Sequence, residues 1–254
     1  MIERSYSTFS TSRADDQAFL ALEDVARLTR DLDDTRIVGG LMAMLLTEAF
    51  PSEGFVTRRT ADVDAAISVQ IANSGTLHER LEADGYASES GNRYVRDGRV
   101  IDVLVPSNTG RFTSTVLGGR GFDAAPGLTL ALAAEPIVHQ LEVVMSDGST
   151  RRLDVRTPTV ELAVVVKALA TRGRHAAKDL VDLYNLLLIA EQHSREEIGG
   201  WRLNEGEPRG LRLDAVRQLE HLRTMPGLRM ALDDTGVPAP AFAQLIRMTA
   251  TPSA

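Results

Sequence analysis

The sequence predicts an α+β protein in which a mixed sheet is followed by a mainly helical part. Short β-branched runs separated by Gly, Pro and Asp-Gly signals dominate the chain up to about residue 156. From residue 157 onward, long apolar stretches with helical spacing replace them. This change predicts two domains, an α/β domain over 1–156 with an N-terminal helix and a helical C-terminal domain over 157–254.

The first half is predicted to alternate short helices and strands. In chain order we expect a loose polar start to about residue 12, a helix over 15–31, a strand over 35–38, a helix over 41–50, a strand over 62–71 and a short helix over 76–85. Apolar residues recur every three or four positions in the helices and crowd the strands. RYVRDGRVIDVLVP predicts a hairpin with Asp97-Gly98 as its turn. More strands and turns are expected over 107–156.

The second half begins with a helix start signal. Thr157 is a plausible N-cap, with Pro158 at the first helical position. The helix is predicted to run to about Ala170, and a second one from about His175 to Gln192. We further expect a loop over 199–210, a helix over 212–224 and a proline-containing tail.

The composition indicates a cytoplasmic protein without a membrane segment. The chain has 254 residues, 43% of them hydrophobic, which suffices for a substantial core. It has no apolar run long enough to span a bilayer and no cysteine, and because its start lacks the apolar region of a secretory signal we expect no such signal. The net charge of −7 argues against a broadly basic surface, but it leaves room for a local basic groove. Only two lysines, Lys167 and Lys178, stand against twenty-six arginines, and they lie eleven positions apart.

Three aspartates are the main candidates for metal binding. Asp62 and Asp64 are two positions apart on a predicted strand and therefore point to the same side. Asp102 interrupts the apolar run VIDVLV on a later strand. If the two strands are neighbours, three carboxylates converge, and hard oxygen ligands of this kind suit Mg²⁺. The plainer alternative is a turn residue and exposed acids on half-solvated strands.

Gly39 and Gly40 join the strand over 35–38 directly to the helix over 41–50. Glycine lets the backbone approach a phosphate closely, and a helix N-terminus offers unpaired N–H groups to an anion. The alternative is an ordinary tight turn.

Taken in order, these residues resemble the nucleotidyltransferase superfamily of the polymerase-β type. The motif residues are Gly39, Gly40, Arg58, Thr60, Asp62, Asp64 and Asp102. A downstream set, Lys167, Arg172, Lys178, Asp179 and Asp182, is similar to the AbiEii/MenT group of bacterial toxin nucleotidyltransferases. The resemblance covers roughly residues 35–190. Many members have Gly-Ser where this chain has Gly39-Gly40, so a hydroxyl that would help hold the nucleotide phosphates is missing.

The resemblance implies a nucleotidyltransferase core that moves NMP from an NTP to an acceptor. Asp62 and Asp64 would hold Mg²⁺ or Mn²⁺ on the NTP, and Asp102 would complete a second metal position or activate the attacking hydroxyl. Lys167 would neutralise triphosphate charge, and Asp182 would act beside it in catalysis. The implied nucleotide-binding residues are Gly39, Gly40, Arg58, Thr60, Lys167 and Asp179.

The resemblance further implies the 3′ end of tRNA as acceptor, a role as the toxin of a toxin–antitoxin system, and a cognate antitoxin as partner. Alternatives are NMP transfer to a small molecule such as an antibiotic, transfer to a protein, and an inactive nucleotide-binding regulatory module. The basic stretch TRGRHAAK, residues 171–178, is a candidate contact for RNA phosphates. His139 and His175 lack a metal-like partner at i+4, and we expect both to be structural or exposed.

Overall fold

The computed structural model describes residues 2–172 and 176–250, which contain ten strands and ten helices. The strands are β1 Ile2–Phe9, β2 Thr35–Val38, β3 Asp62–Ile67, β4 Ala87–Ser90, β5 Arg93–Arg96, β6 Arg99–Pro106, β7 Thr113–Leu117, β8 Arg120–Ala125, β9 Ile137–Val144 and β10 Thr150–Thr157. The helices are α1 Arg13–Leu28, α2 Gly39–Ala49, α3 Val69–Ser74, α4 Thr76–Ala83, α5 Leu128–Ala133, α6 Val160–Ala170, α7 Ala177–Gln192, α8 Leu211–Thr224, α9 Leu228–Ala231 and α10 Ala239–Ala250. The predicted α+β class and helical C-terminal region are confirmed; the nucleotidyltransferase core stays a prediction.

The larger sheet is mixed and has seven strands. Its main order is β2-β3-β6-β5-β4, and β8 pairs with the distal part of β6 and with β7. β3 and β6 are parallel, whereas β2 and β5 run antiparallel to their neighbours β3 and β6. The β5–β6 hairpin closes through Asp97 and Gly98, both at positive φ (49° and 82°), as the Asp-Gly signal predicts.

The two faces of β3 meet different layers of the protein. Val63, Ala65 and Ile67 are buried in an apolar cluster that includes α1 and the inward residues of β9 and β10. Ala66 belongs to a second cluster, made largely by α5, α6, α7, α8 and α10. Since side chains alternate along a strand, Asp62 and Asp64 lie on the side of this helical cluster. The sheet therefore separates a structural face from the face that carries the predicted site.

β1 corrects the expectation of a loose N-terminus. It pairs in parallel with β9, and β10 completes this second, three-stranded sheet. The Tyr6 hydroxyl lies 3.0 Å from Nδ1 of His139 and donates to the carbonyl of Leu45 at 2.9 Å, so β1 also contacts α2. His139 is fully buried and its Nε2 lies 2.7 Å from Oγ1 of Thr157. Of the two outcomes expected for His139, structural or exposed, the structure shows the first: both ring nitrogens have partners inside the fold.

Other element boundaries also differ from those predicted. Thr159, not Thr157, caps α6, because Thr157 still pairs with Ile137 as the last residue of β10. β3 ends at Ile67, since Ser68 caps the short helix α3 and the chain leaves the sheet there. The tail contains α9 and α10, where we predicted only a proline-containing segment. Gly173 and His175, at the predicted break and helix start, lie outside the described residues.

The second apolar cluster contains residues from both sides of position 156, the predicted domain boundary. It joins Met42 and Leu46 of α2 to α6 and α7, and Leu128 of α5 belongs to it as well. The boundary between the two predicted domains stays a prediction. Over residues 2–172 and 176–250, no helix is long and apolar enough to cross a membrane.

Candidate active site

The three predicted metal ligands lie on two neighbouring strands. In the parallel pairing of β3 with β6, Asp64 is directly opposite Asp102, and Asp62 is opposite Val100. The condition on which the prediction depended, adjacency of the two strands, is therefore met. All three side chains line one cleft of about 340 Å³ between the sheet and the helices α6 and α7.

The same cleft collects most of the other predicted residues. It is lined, among others, by Gly39, Gly40, Arg58, Thr60, Asp62, Asp64, Asp102, Lys167, Lys178 and Asp179. Both lysines of the chain are thus at one site, although they belong to different helices. Asp182 lies behind Lys167 and lines a smaller neighbouring cavity of about 250 Å³.

Among the three aspartates, Asp64 is the one whose negative charge is unfavourable in the folded protein. Partial burial, together with the charges of Asp62 and Asp102, raises its pKa to about 6 against the opposing effect of Lys167 and Lys178. Within the described residues, no donor forms a hydrogen bond or ion pair with the Asp64 carboxylate. Asp62, by contrast, accepts a hydrogen bond of 2.6 Å from the Thr60 hydroxyl. A cation bound between these two carboxylates would remove the penalty on Asp64.

The N-terminus of α2 opens into the cleft. Its N-cap, Val38, provides no side-chain hydrogen bond, so the first N–H groups of the helix are not capped by a side chain. Gly39 has a φ of +68°, and a side chain there would collide with the Asp64 carboxylate. A Cβ on Gly40 would lie 2.6 Å from Nη1 of Arg58. The Arg58 guanidinium therefore lies close against the backbone of Gly40 at the start of α2.

A buried ion network connects the helical part of the protein to the cleft. Lys167, only 5% exposed, donates to Asp182 at 2.6 Å and to Asp179 at 3.3 Å. Asp182 also accepts a hydrogen bond of 3.1 Å from Nη1 of Arg58. Burial raises the pKa of Asp182, and Lys167 and Arg58 oppose that effect. Asp179 and Asp182 are three positions apart on α7, and this spacing lets both carboxylates reach the same ammonium.

Arg93 is the residue that the sequence analysis missed. It lies on β5 opposite Asp102 and donates a hydrogen bond to each oxygen of that carboxylate. Nε donates to Oδ1 at 2.9 Å and Nη2 to Oδ2 at 2.7 Å. A signal for it exists, because a two-residue turn at Asp97-Gly98 fixes the hairpin register and places residue 93 opposite residue 102. Phe112, 49% exposed, also lines the cleft; it lies between strands, where no periodicity marks it.

The residues present fit a hard divalent cation. Asp62 and Asp64 offer carboxylate oxygens from one rigid strand, and a bound cation would oppose the burial and the neighbouring carboxylates that raise the pKa of Asp64. Among the described residues, no group of three or more His, Cys, Asp or Glu side chains is arranged to hold a metal ion. Mg²⁺ commonly takes only one or two protein carboxylates and completes its shell with water and substrate phosphates. Arg93 donates one hydrogen bond to each oxygen of Asp102 and so competes with a cation for this carboxylate.

Comparison of the chain with protein-family models and with curated proteins gives no match. The function is therefore inferred from the residues of the cleft and from the motifs they form.

Proposed function

We propose that the protein is a metal-dependent nucleotidyltransferase that transfers NMP from an NTP to an acceptor hydroxyl. One observation carries the proposal: a single cleft holds the Asp62–Asp64 pair, Asp102, the open N-terminus of α2 and the Lys167 network. Carboxylates for a hard cation next to several donors for phosphate are the arrangement that nucleotidyl transfer requires.

The NTP phosphates would be held by backbone N–H groups of α2 and by cationic side chains. The open helix terminus favours an anion through its unpaired N–H groups and its dipole. Arg58 lies against Gly40, and Lys167 lines the same cleft, so both can approach phosphate oxygens. Asp179 and Asp182 keep the Lys167 ammonium in place. Thr60 orients Asp62 through its hydroxyl.

Asp62 and Asp64 would hold Mg²⁺ or Mn²⁺, which when bound neutralises phosphate charge and orients the triphosphate. In the transfer step, the acceptor oxygen forms a bond to the α-phosphorus while the bond from that phosphorus to the bridging oxygen breaks. Pyrophosphate leaves, and the hydroxyl proton passes to a carboxylate. Asp102 suits this proton acceptance, because it lines the cleft beside Asp64 on the adjacent strand.

The resemblance to AbiEii/MenT toxins supplies the choice of acceptor. On that basis the acceptor is the 3′ end of tRNA, the protein acts as a toxin, and a cognate antitoxin binds it. Transfer to a small molecule or to a protein remains the competing outcome of the test below.

The test is incubation of the protein with each of the four α-³²P-labelled NTPs, Mg²⁺ and one of three acceptor pools: total RNA, total protein and aminoglycoside antibiotics. We expect label in tRNA with wild type, and a loss of at least a hundredfold with Asp62→Asn and with Lys167→Ala. Asp154→Asn, a change at an exposed aspartate of β10, is the matched control and should label like wild type.

The location of the label decides between the readings. Label in protein or antibiotic would support nucleotidyl transfer but to an acceptor other than tRNA. If wild type labels none of the three pools with any nucleotide, the proposed enzyme activity is wrong.

A further inference from the structure

We propose that Arg93 is a phosphate-binding residue of the cleft and that it changes partner, releasing Asp102 when a substrate triphosphate binds. This inference rests on the proposed function. It assigns to Arg93 a role in binding substrate and in freeing a carboxylate that the transfer step needs.

The first argument is geometric. Arg93 binds Asp102 through two parallel hydrogen bonds, the arrangement in which a guanidinium also binds a phosphate. Both residues line the cleft that contains the open N-terminus of α2. A triphosphate held at that terminus by Arg58 and Lys167 would therefore lie in the same cleft as the Arg93 guanidinium.

The second argument concerns the cost of the exchange. The Arg93 side chain is 44% exposed and that of Asp102 is 16% exposed, so Arg93 holds Asp102 at the solvent-accessible mouth of the cleft. Water and salt compete with an ion pair of this exposure, although its bidentate geometry makes it stronger than a typical surface pair. A triphosphate carries several negative charges and offers the same bidentate geometry, so it can displace the single carboxylate.

The third argument is that the backbone under Arg93 is held in place, so the exchange needs only a side-chain movement. Four residue pairs join β5 to β6, from Arg93 with Asp102 to Arg96 with Arg99. The N–H of Val103 donates to the carbonyl of Asn92 at 2.9 Å. A Cβ on Gly91 would lie 2.7 Å from the carbonyl oxygen of Gly121, so the turn before Arg93 packs closely on β8.

The competing explanation is structural: the pair joins two strands of a hairpin and does nothing else. Arg152 and Glu142 form such a cross-strand pair on β10 and β9, at 2.9 Å and with the arginine side chain 84% exposed. Arg152→Gln is therefore the matched control for any effect of losing an arginine from a strand.

The experiment is calorimetric titration of inorganic tripolyphosphate, in EDTA, into wild type, Arg93→Gln, Asp102→Asn, the double variant and Arg152→Gln. We expect Arg93→Gln to weaken binding about tenfold, because a bidentate charged contact is lost. Asp102→Asn should tighten binding about threefold, because Arg93 no longer has a competing partner. Arg152→Gln should bind like wild type.

The double variant separates competition from simple charge removal. If Asp102 acts by occupying Arg93, its substitution tightens binding in the wild-type background and has little effect in the Arg93→Gln background. Equal tightening in both backgrounds contradicts the exchange of partners. Should Arg93→Gln fail to fold, Arg93→Lys keeps the charge, loses the bidentate contact and should still weaken binding severalfold.

Titration of the four NTPs in the presence of Mg²⁺ distinguishes failure of this inference from failure of the proposed function. Wild type that binds an NTP and tripolyphosphate, with affinities unchanged in both single variants, overturns the role of Arg93 only. Wild type that binds neither overturns both.

Discussion

Asp64 is half-buried beside two other carboxylates, and this links its protonation to the stability of the fold. Its pKa is about 6 in the folded protein, against an ordinary value of 3.8. A raised carboxyl pKa means that the folded state holds the proton more tightly than the unfolded state does. The resulting penalty is absent below about pH 4, grows as the pH rises through 6, and is complete above it.

Asp64→Asn should therefore stabilise the metal-free protein at pH 8 by about 2 kcal/mol and have little effect at pH 4. The measurement is urea unfolding of both proteins across this range in EDTA. Asp154→Asn, at an exposed site, should leave the pH dependence unchanged. A stabilisation of equal size at pH 4 and pH 8 would show that the Asp64 charge is not its source.

The two lysines allow a second comparison at the level of single residues. Lys167 is 5% exposed and forms ion pairs with both Asp179 and Asp182, which are each 2% exposed. Lys178 is exposed at the rim of the same cleft. Lys167→Met should cost about 3 kcal/mol of folding free energy, because it leaves buried carboxylates without that cation.

Lys178→Met should change stability by less than about 0.5 kcal/mol, as expected for a solvated surface residue. Thermal or urea unfolding of the two variants at pH 7.5 measures the difference. Similar losses in both would contradict a structural contribution of the Lys167 network. If Lys178 binds substrate, its substitution would lower activity without lowering stability, which separates the two lysines by function as well.

The β5–β6 hairpin positions both Arg93 and Asp102, and its turn is the element to test. Gly98 has a φ of +82°, and a Cβ there would make only ordinary contact with Gln17 at 3.7 Å. Gly98→Ala should therefore destabilise the protein by about 1 kcal/mol through backbone strain and not through a clash. Gly227→Ala, where φ is −88° and the space around a Cβ is open, is the control and should be close to neutral. Equal unfolding midpoints for the two variants in urea would contradict this account.

Local pattern was sufficient to predict some elements of the site but not others. Strand alternation predicts that Asp62 and Asp64 share a face, since it depends only on spacing of two along one strand. β1 was not predicted because its inward-facing positions include the polar residues Arg4 and Thr8. Its sequence therefore lacks the alternation of apolar and polar residues that marks a strand. Thr157 and Thr159 flank Pro158, and both precede the apolar helix α6. Which of them caps α6 depends on where β10 stops pairing with β9.

At the scale of the molecule, the site depends on contacts that no short segment specifies. β3 and β6 are separated along the chain by two helices and two strands, yet they pair and bring Asp64 opposite Asp102. Sequence analysis could state this adjacency only as a condition. Likewise, Arg58 and Asp182 are 124 positions apart. They meet because the segment before β3 lies on α7, where Val56 exchanges two hydrogen bonds with Asn185. The motif residues were predictable, whereas their mutual distances required the tertiary structure.

The shared cluster also determines how the two predicted domains, 1–156 and 157–254, behave when separated. Met42, Leu46 and Leu128 from the first part are buried against α6 and α7 of the second, and α6 is buried on all sides. Separation would expose this apolar surface to water, at a cost of roughly 25 cal/mol per Å². We expect neither fragment to unfold cooperatively when expressed alone, as judged by circular dichroism during urea titration, whereas co-expression should yield a soluble complex of the two. A cooperative transition in either isolated fragment would show that its core is sufficient without the other. In that case the cleft lies between two stable domains, and its width could change as one moves against the other.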